Sequence, residues 1–540
     1  MVSARSVLPT RSGGSDGNRV CFWLYAYKKF LVALFIIRKM EEENLPVSIA
    51  NIRFDMGICI RYNRIQAEAN FPGKKSNGKE QLLHSKYKKM ESEKGTNGKE
   101  SGMNTNKNTF APYPPMGWNS WDCYGASVTE KELMQNADFV AEHLKAHGWE
   151  YIVCDIQWYE PTADSSHYHA FADLCMDEYG RLLPAVNRFP SAADEKGFGP
   201  IADYIHSKGL KFGIHIMRGI PRQAVSRNTP VKGTDYTARQ VAHPSSVCCW
   251  NTDMYGVDAA RPGAQAYYDS IIELYASWGV DFIKVDDICV KYVQPGDESV
   301  ISYGGDEIEL LRNAIDKSGR EIVLSLSPGP AMIGQAEHLR KNANMWRITN
   351  DLWDSWDNIM EMFTRCNTWS PYVSEGCYPD CDMIPIGHLS IRGCEHGLSE
   401  RQTRLSKEEQ RTLFSLWCIF RSPLMLGCEL TDADEWTMSL LTNDAVLGLT
   451  KHSHGAHQVL RTGDLIVWQS EGEQGEQYVA MFNIVGWPDD FSVSFSKLGL
   501  EGTYEVTDLW SGEKESTQDQ ALTADIPAHG VKLVRLDRVE

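Results

Sequence analysis

Carboxylates and cations recur at the ends of apolar runs in this chain, a placement that surface charge alone does not explain. The run Asp281-Phe-Ile-Lys-Val-Asp-Asp287 follows a helix-ending Gly279 and reads as a short buried strand. Side chains alternate along a strand, so Lys284 and Asp286 project to one side. Asp155, His215, Arg347 with Asp351, and Asp382 occupy the ends of other such runs. Two chemistries use a set of this kind. Carboxylates collect Mg²⁺, with Asp286 and Asp287 as the natural ligands, but neighbouring strand residues point to opposite faces, and Lys284 and Arg347 compete for the same negative charge. Glycoside hydrolysis needs one ionised carboxylate and one protonated carboxylic acid flanking an anomeric carbon. On that reading Lys284 keeps Asp286 ionised as nucleophile, while Asp351, in a drier setting, has its pKa raised and serves as acid, then base. The cations also donate to sugar hydroxyls. Trp118, Trp121 and Trp158 are candidates for an apolar wall facing the sugar, although plain core is the commoner role for such a tryptophan.

These residues need a scaffold that brings distant strand ends together. From Pro114 onward a unit recurs: an amphipathic helix, a terminating glycine, two or three residues, then a short apolar strand. The first instance has Thr129 and Glu132 as a capping box, Leu133, Ala137, Val140 and Leu144 on one face, and Gly148 ahead of a strand from Tyr151 to Asp155. Later instances place Gly209 before Leu210 to Ile216, Gly279 before the Lys284 strand, and Gly319 before Glu321 to Leu326. Alternating strands and helices imply parallel βα units. A count near eight favours an α/β fold closed as a (β/α)8 TIM barrel over an open doubly wound sheet, with polar residues at the strand C-termini forming the catalytic face. After about Ser453 the pattern becomes all-β, with short alternating segments at Leu465 to Gln469, Tyr478 to Asn483, Phe491 to Phe495, Thr503 to Thr507 and Val531 to Leu536. This predicts a C-terminal antiparallel β-sandwich, read as a supporting domain. The expected division is a poorly ordered extension over 1–108, a barrel over 109–452 and a sandwich over 453–540.

The 540 residues carry a formal charge of −18, which argues against a nucleic-acid partner, since phosphate binding needs a basic face. Cys21 to Ile37 is interrupted by Lys28 and Lys29, too short for a membrane span of about 20 residues, and no small-residue cleavage site follows it. No membrane partner is expected, and a homo-oligomer is left open. The 14 cysteines are scattered and read mostly as buried thiols; Cys377 and Cys381 lack the second pair that a zinc clip requires.

Pro115-Met-Gly-Trp-Asn-Ser-Trp121, Lys284-Val-Asp286, Arg347-Ile-Thr-Asn-Asp351 and Asp380-Cys-Asp-Met383 resemble the motifs of the α-galactosidase (melibiase) family, family 27 of the glycoside hydrolases. The resemblance runs from about Pro114 to the end, through Trp417 to Leu426 and Asp508-Leu-Trp-Ser-Gly512. It implies a cofactor-free, metal-free retaining enzyme acting on a small carbohydrate or glycan terminus. Asp286 matches the family's nucleophile and Asp351 its acid/base; Trp121, Asp155, Lys284, Arg347 and Asp382 match sugar-contacting positions, and His215 stands where the family often has an aromatic residue. Two departures matter. Galactose-specific members usually carry two adjacent acids after the second strand, whereas here the pair is Asp155-Ile156. Isoleucine cannot accept a hydrogen bond from a sugar 6-hydroxyl. L-Arabinopyranose has galactose's ring stereochemistry without the hydroxymethyl arm, and Ile156 would pack where that arm would lie. The sequence resembles β-L-arabinopyranosidases at this point, which implies that activity beside or above α-galactosidase activity. Secondly, Gln157 and Ile288 replace cysteines of secreted animal members, which implies partly absent disulfides and slightly favours an intracellular enzyme. The alternatives are an α-N-acetylgalactosaminidase, with Ser327-Pro-Gly-Pro330 opening space beside the sugar's 2-position, and a non-catalytic sugar-binding barrel.

Overall fold

The computed structural model describes residues 106–540, except 295–296, 394–397, 517–519 and 540, together with the short strands Ile52–Phe54 and Ile58–Ile60. Those two strands pair antiparallel. The expectation of a poorly ordered extension otherwise falls on residues outside the described ones.

The helix of the first unit begins where its capping box requires: Thr129 accepts from the Glu132 N–H, and Glu132 returns a bond to the Thr129 N–H, opening α1 (Glu130–Phe139). Helical turns continue to Leu144 and then His147, and Leu133, Ala137, Val140 and Leu144 are all fully buried. Gly148 ends the run at φ 97°, a conformation that β-carbon sterics deny most residues. The chain then enters the barrel, whose eight strands are β1 (Met116–Asn119), β2 (Tyr151–Cys154), β3 (Lys211–Met217), β4 (Phe282–Asp286), β5 (Val323–Leu326), β6 (Met345–Arg347), β7 (Tyr378–Asp380) and β8 (Leu424–Leu426). Neighbours pair in parallel in chain order, β8 returns to β1 through Met425 opposite Gly117, and a parallel bridge between Ile384 and Leu426 joins the two remaining edges. The expected closed barrel is the observed one.

Register explains how the charged residues meet. His215 lies opposite Lys284 and Met217 opposite Asp286 across β3 and β4, and Arg347 lies opposite Asp380 across β6 and β7. The barrel domain's packing reaches ahead of the Pro114 motif, since Lys107 and Phe110 in the turn Lys107–Phe110 are buried. Two excursions were not legible in the helical periodicity. Between β3 and β4 a small antiparallel sheet forms from Ile220–Pro221, Met254–Val257 and Ala242–Val247. After β4 a hairpin pairs Lys291–Gln294 with Asp297–Ser302.

Beyond Ser453 the chain is antiparallel, as expected. One sheet contains β9 (Ser453–Arg461), β10 (Leu465–Gly472), β11 (Gln477–Asn483), β13 (Thr503–Asp508), β14 (Lys514–Ser516) and β16 (Val531–Val539); the other pairs β12 (Asp489–Ser494) with β15 (Ala521–Ile526). The two faces close over Leu465, Val479, Phe491, Val493, Val506 and Leu536. The edge strand β9, the short β14, and β15 were absent from the sequence expectation; β14 is exposed throughout, β9 fully buries only Ser453, and both show little apolar alternation. The sandwich packs on the barrel helix Lys407–Phe420. There Trp510 donates to Ser415 Oγ at 2.9 Å, and Thr412 donates to the His529 carbonyl at 2.6 Å. The Asp508-Leu-Trp-Ser-Gly512 motif is thus an interface element.

Candidate active site

The C-terminal strand ends surround a cavity of about 550 Å³. Trp121, Asp155, Ile156, Lys284, Asp286, Arg347, Asp351 and Asp382 line it; His215, Trp118, Trp158 and Asp287 do not. At the base, Asp155 follows β2 and is almost fully buried. Lys284 donates to its Oδ2 at 2.9 Å, Asn119 donates to the same oxygen at 2.7 Å, and the Ile156 N–H reaches Oδ1 at 2.8 Å. Burial alone would raise the Asp155 pKa, but Lys284, His215 and these donors hold it well below the usual carboxylate range. Lys284 is correspondingly held above its ordinary value: burial opposes its charge, but Asp155 and Asp286 outweigh that.

Asp286, at the end of β4, is also held ionised. Burial opposes its charge, but the hydrogen bond from His215 Nε2 at 3.3 Å, the nearby Lys284 and the Asp287 N–H at 2.9 Å carry its pKa below the usual value. His215 is fully buried and lies against Asp286, away from the cavity wall. Its imidazole supports a carboxylate here. Asp287 points away from Lys284, as strand alternation requires, and Arg218 pairs with it at 2.9 Å on the far side. The Mg²⁺ pair Asp286–Asp287 therefore does not converge. Among the described residues no group of three or more His, Cys, Asp or Glu side chains is arranged to hold a metal ion.

On the opposite wall Arg347 forks between Asp382 at 2.8 Å and Asp351 at 2.9 Å. Burial pushes the Asp382 carboxyl up to about 7, with Arg347 opposing the shift and Asp351 and Asp380 adding to it. The drier setting expected for Asp351 is not found: its side chain is 67% exposed at the cavity mouth. A residue four positions beyond a barrel strand, on the loop after β6, reaches the rim more readily than the floor.

The aromatic wall is also differently composed. Trp118 and Trp158 are fully buried; their indole N–H groups donate to the carbonyls of Cys428 at 2.6 Å and His215 at 2.7 Å, so both belong to the core. Trp121 does face the cavity. It stacks on Tyr168 at 5.8 Å between ring centroids, and Tyr168 packs on Trp250 at 5.7 Å. Tyr168, Trp250 and Trp353 line the cavity from loops, and Tyr292 from the hairpin after β4, where no sequence periodicity marks them. Asp122 lines it too. Its position directly after Trp121 in the first motif was the signal that sequence reasoning passed over. The eleven described cysteines from Cys123 to Cys428 are free thiols, with Cys366 and Cys381 in contact at 3.5 Å between sulfurs.

A closed parallel barrel whose strand ends gather carboxylates and cations beside an aromatic wall defines a barrel glycosidase. The chain belongs to the α-galactosidase (melibiase) family, family 27 of the glycoside hydrolases. The family model for alpha galactosidase A matches residues 113–259 and 252–452, and that for the alpha galactosidase C-terminal beta sandwich domain matches 462–536. A family 27 β-L-arabinopyranosidase from Geobacillus stearothermophilus is 53% identical in sequence, with 81% of this chain and 99% of that chain covered at a TM-score of 0.78. A Bacillus halodurans protein provisionally named an α-N-acetylgalactosaminidase is 48% identical, covering 79% of this chain and 97% of that chain at a TM-score of 0.71. An α-galactosidase from Cyamopsis tetragonoloba is 26% identical over 437 residues, spanning 79% of this chain and 87% of the relative.

Proposed function

We propose that this glycosidase is a retaining exo-enzyme that releases terminal β-L-arabinopyranosyl residues in preference to α-D-galactopyranosyl residues. The observation that carries the sugar preference is Ile156, an apolar side chain on the cavity wall directly beside the ionised Asp155. The similarity to the Geobacillus β-L-arabinopyranosidase supports the same reading. Asp286, held ionised, attacks the anomeric carbon; Asp351 protonates the departing oxygen and then takes a proton from the attacking water. Its place at the mouth suits that exchange, because the aglycone leaves and water enters there. A bound substrate covers it and supplies the drier surroundings that the free enzyme lacks. Asp155, Lys284, Arg347 and Asp382 bind sugar hydroxyls, and Trp121 packs against the ring. Residues 109–452 form the catalytic unit in this reading, with 453–540 as its support.

The test is steady-state kinetics on matched aryl β-L-arabinopyranoside and aryl α-D-galactopyranoside, with Asp286→Asn alongside and the anomer of the first-formed product followed by NMR. The arabinoside is expected to be the better substrate, with retained configuration, and Asp286→Asn is expected to lose about 10³-fold or more in kcat. An Asp286→Asn enzyme that turns over like the wild type would overturn the assignment. An aryl N-acetyl-α-D-galactosaminide belongs in the same panel, because Pro328 and Gly329 leave a small-residue wall on one side of the cavity.

A further inference from the structure

Every carboxylate at the cavity has a partner except one. Asp155 has Lys284 and Asn119, Asp286 has His215 and the Asp287 N–H, Asp351 has Arg347, and Asp382 has Arg347 and the Leu352 N–H. Asp122 has no side-chain hydrogen-bond or ion-pair partner among the described residues, although it is only 4% exposed. Its Oδ2 is sealed from solvent and unpaired. That oxygen lies against the Cα of Gly427, just beyond β8, where even a β-carbon would overlap it. Asp122 nonetheless lines the cavity, so Oδ1 is the carboxyl oxygen left to face the space where the sugar belongs. An unpaired buried polar group is costly unless something completes it.

We propose that Asp122 is a further sugar-binding residue, whose Oδ1 hydrogen-bonds the pyranose from the β1–β8 side of the cavity. This rests on the reading of the cavity as the sugar site. The groups around Asp122 favour its neutral form: burial raises its pKa, Asp382, Asp351 and Asp155 add to the rise, and Lys284 opposes it only partly. With Oδ2 buried as the carbonyl oxygen, Oδ1–H donates to a hydroxyl or ring oxygen of the substrate. Asp122 thereby gives the wall a neutral donor on the β1–β8 side. The substrate class this fits is an uncharged pyranose; a uronic acid would bring another carboxylate against Asp155, Asp286, Asp351 and Asp382.

The experiment compares Asp122→Asn, which keeps shape and a donor, with Asp122→Ala, which keeps neither. Each is assayed for kcat/KM on the aryl arabinoside, and each is also built into the Asp286→Asn background for calorimetric titration with L-arabinose. Circular dichroism checks folding. Asp122→Ala is expected to weaken L-arabinose binding and kcat/KM about tenfold, with Asp122→Asn losing distinctly less. If Asp122→Ala binds L-arabinose as tightly as its parent, the proposal fails. It fails equally if Asn is as damaging as Ala, since a neutral donor would then not be what the sugar uses. A wild type inactive on all aryl glycosides would instead overturn the reading of the cavity itself. Should alanine unfold the chain, Asp122→Val, which keeps bulk but offers no donor, takes its place against Asp122→Asn in the binding assay.

Discussion

Ile156→Asp restores the pair of adjacent acids, and its consequence follows from the local geometry. Ile156 is 2% exposed, and its backbone N–H already serves Asp155 Oδ1 at 2.8 Å, so a new carboxyl there enters the cavity wall without moving Asp155. In the wild type a galactoside would press its 6-hydroxyl against a hydrocarbon surface, and leaving that hydroxyl unpaired costs about 1 to 3 kcal/mol, roughly 5- to 150-fold in kcat/KM. The variant supplies an acceptor and removes that penalty. An arabinoside meets the opposite change: it loses apolar contact with the isoleucine and faces a polar group that it cannot satisfy, a loss of about 1 kcal/mol or more. The ratio of kcat/KM for galactoside over arabinoside should therefore rise at least about tenfold. Replacing a buried isoleucine with an acid beside the ionised Asp155 also costs about 2 to 5 kcal/mol of stability, so a melting curve should accompany the kinetics, with assays run well below the variant's Tm. A ratio that moves by less than a factor of about three, in a folded variant, would refute the reasoning and reduce Ile156 to packing. So would a wild type that already prefers the galactoside.

Two further predictions concern the groups behind the sugar. His215→Ala removes the hydrogen bond to Asp286 without touching the cavity wall, so kcat should fall about 10- to 100-fold while KM changes little; a rise in KM at constant kcat would mean that His215 contacts the sugar after all. Asp382 stands near 7 in the folded state against about 3.9 when unfolded, so its contribution to stability is present below the unfolded value and lost as pH rises through 7. Asp382→Asn does not titrate. Relative to wild type it should therefore gain about 2 to 3 kcal/mol between pH 5 and pH 8, read from urea unfolding at the two values; a difference independent of pH would show that Asp382 is already ionised at pH 5.

Much of the scaffold was legible because it rests on local rules. Apolar faces at helical spacing, a capping box at Thr129 and glycines at helix ends identify βα units wherever they fall, and strand alternation alone places Lys284 and Asp286 on one side and Asp287 on the other. The identity of the motif residues was legible too. Their environments were not. Asp351 was expected in a dry site and stands exposed at the mouth; His215 is buried against Asp286; Trp118 and Trp158 were candidates for an apolar wall and are core, while Tyr168 and Trp250 line the cavity from irregular loops. Sequence by itself determined which side chains stand at which strand ends, since periodicity is a property of neighbouring residues. Only the tertiary structure decided which of those side chains are buried, paired or left open to a ligand, because burial and charge pairing depend on what distant segments bring against them. Asp122 is the plainest case, an acid whose chemistry is set by a glycine some three hundred positions away.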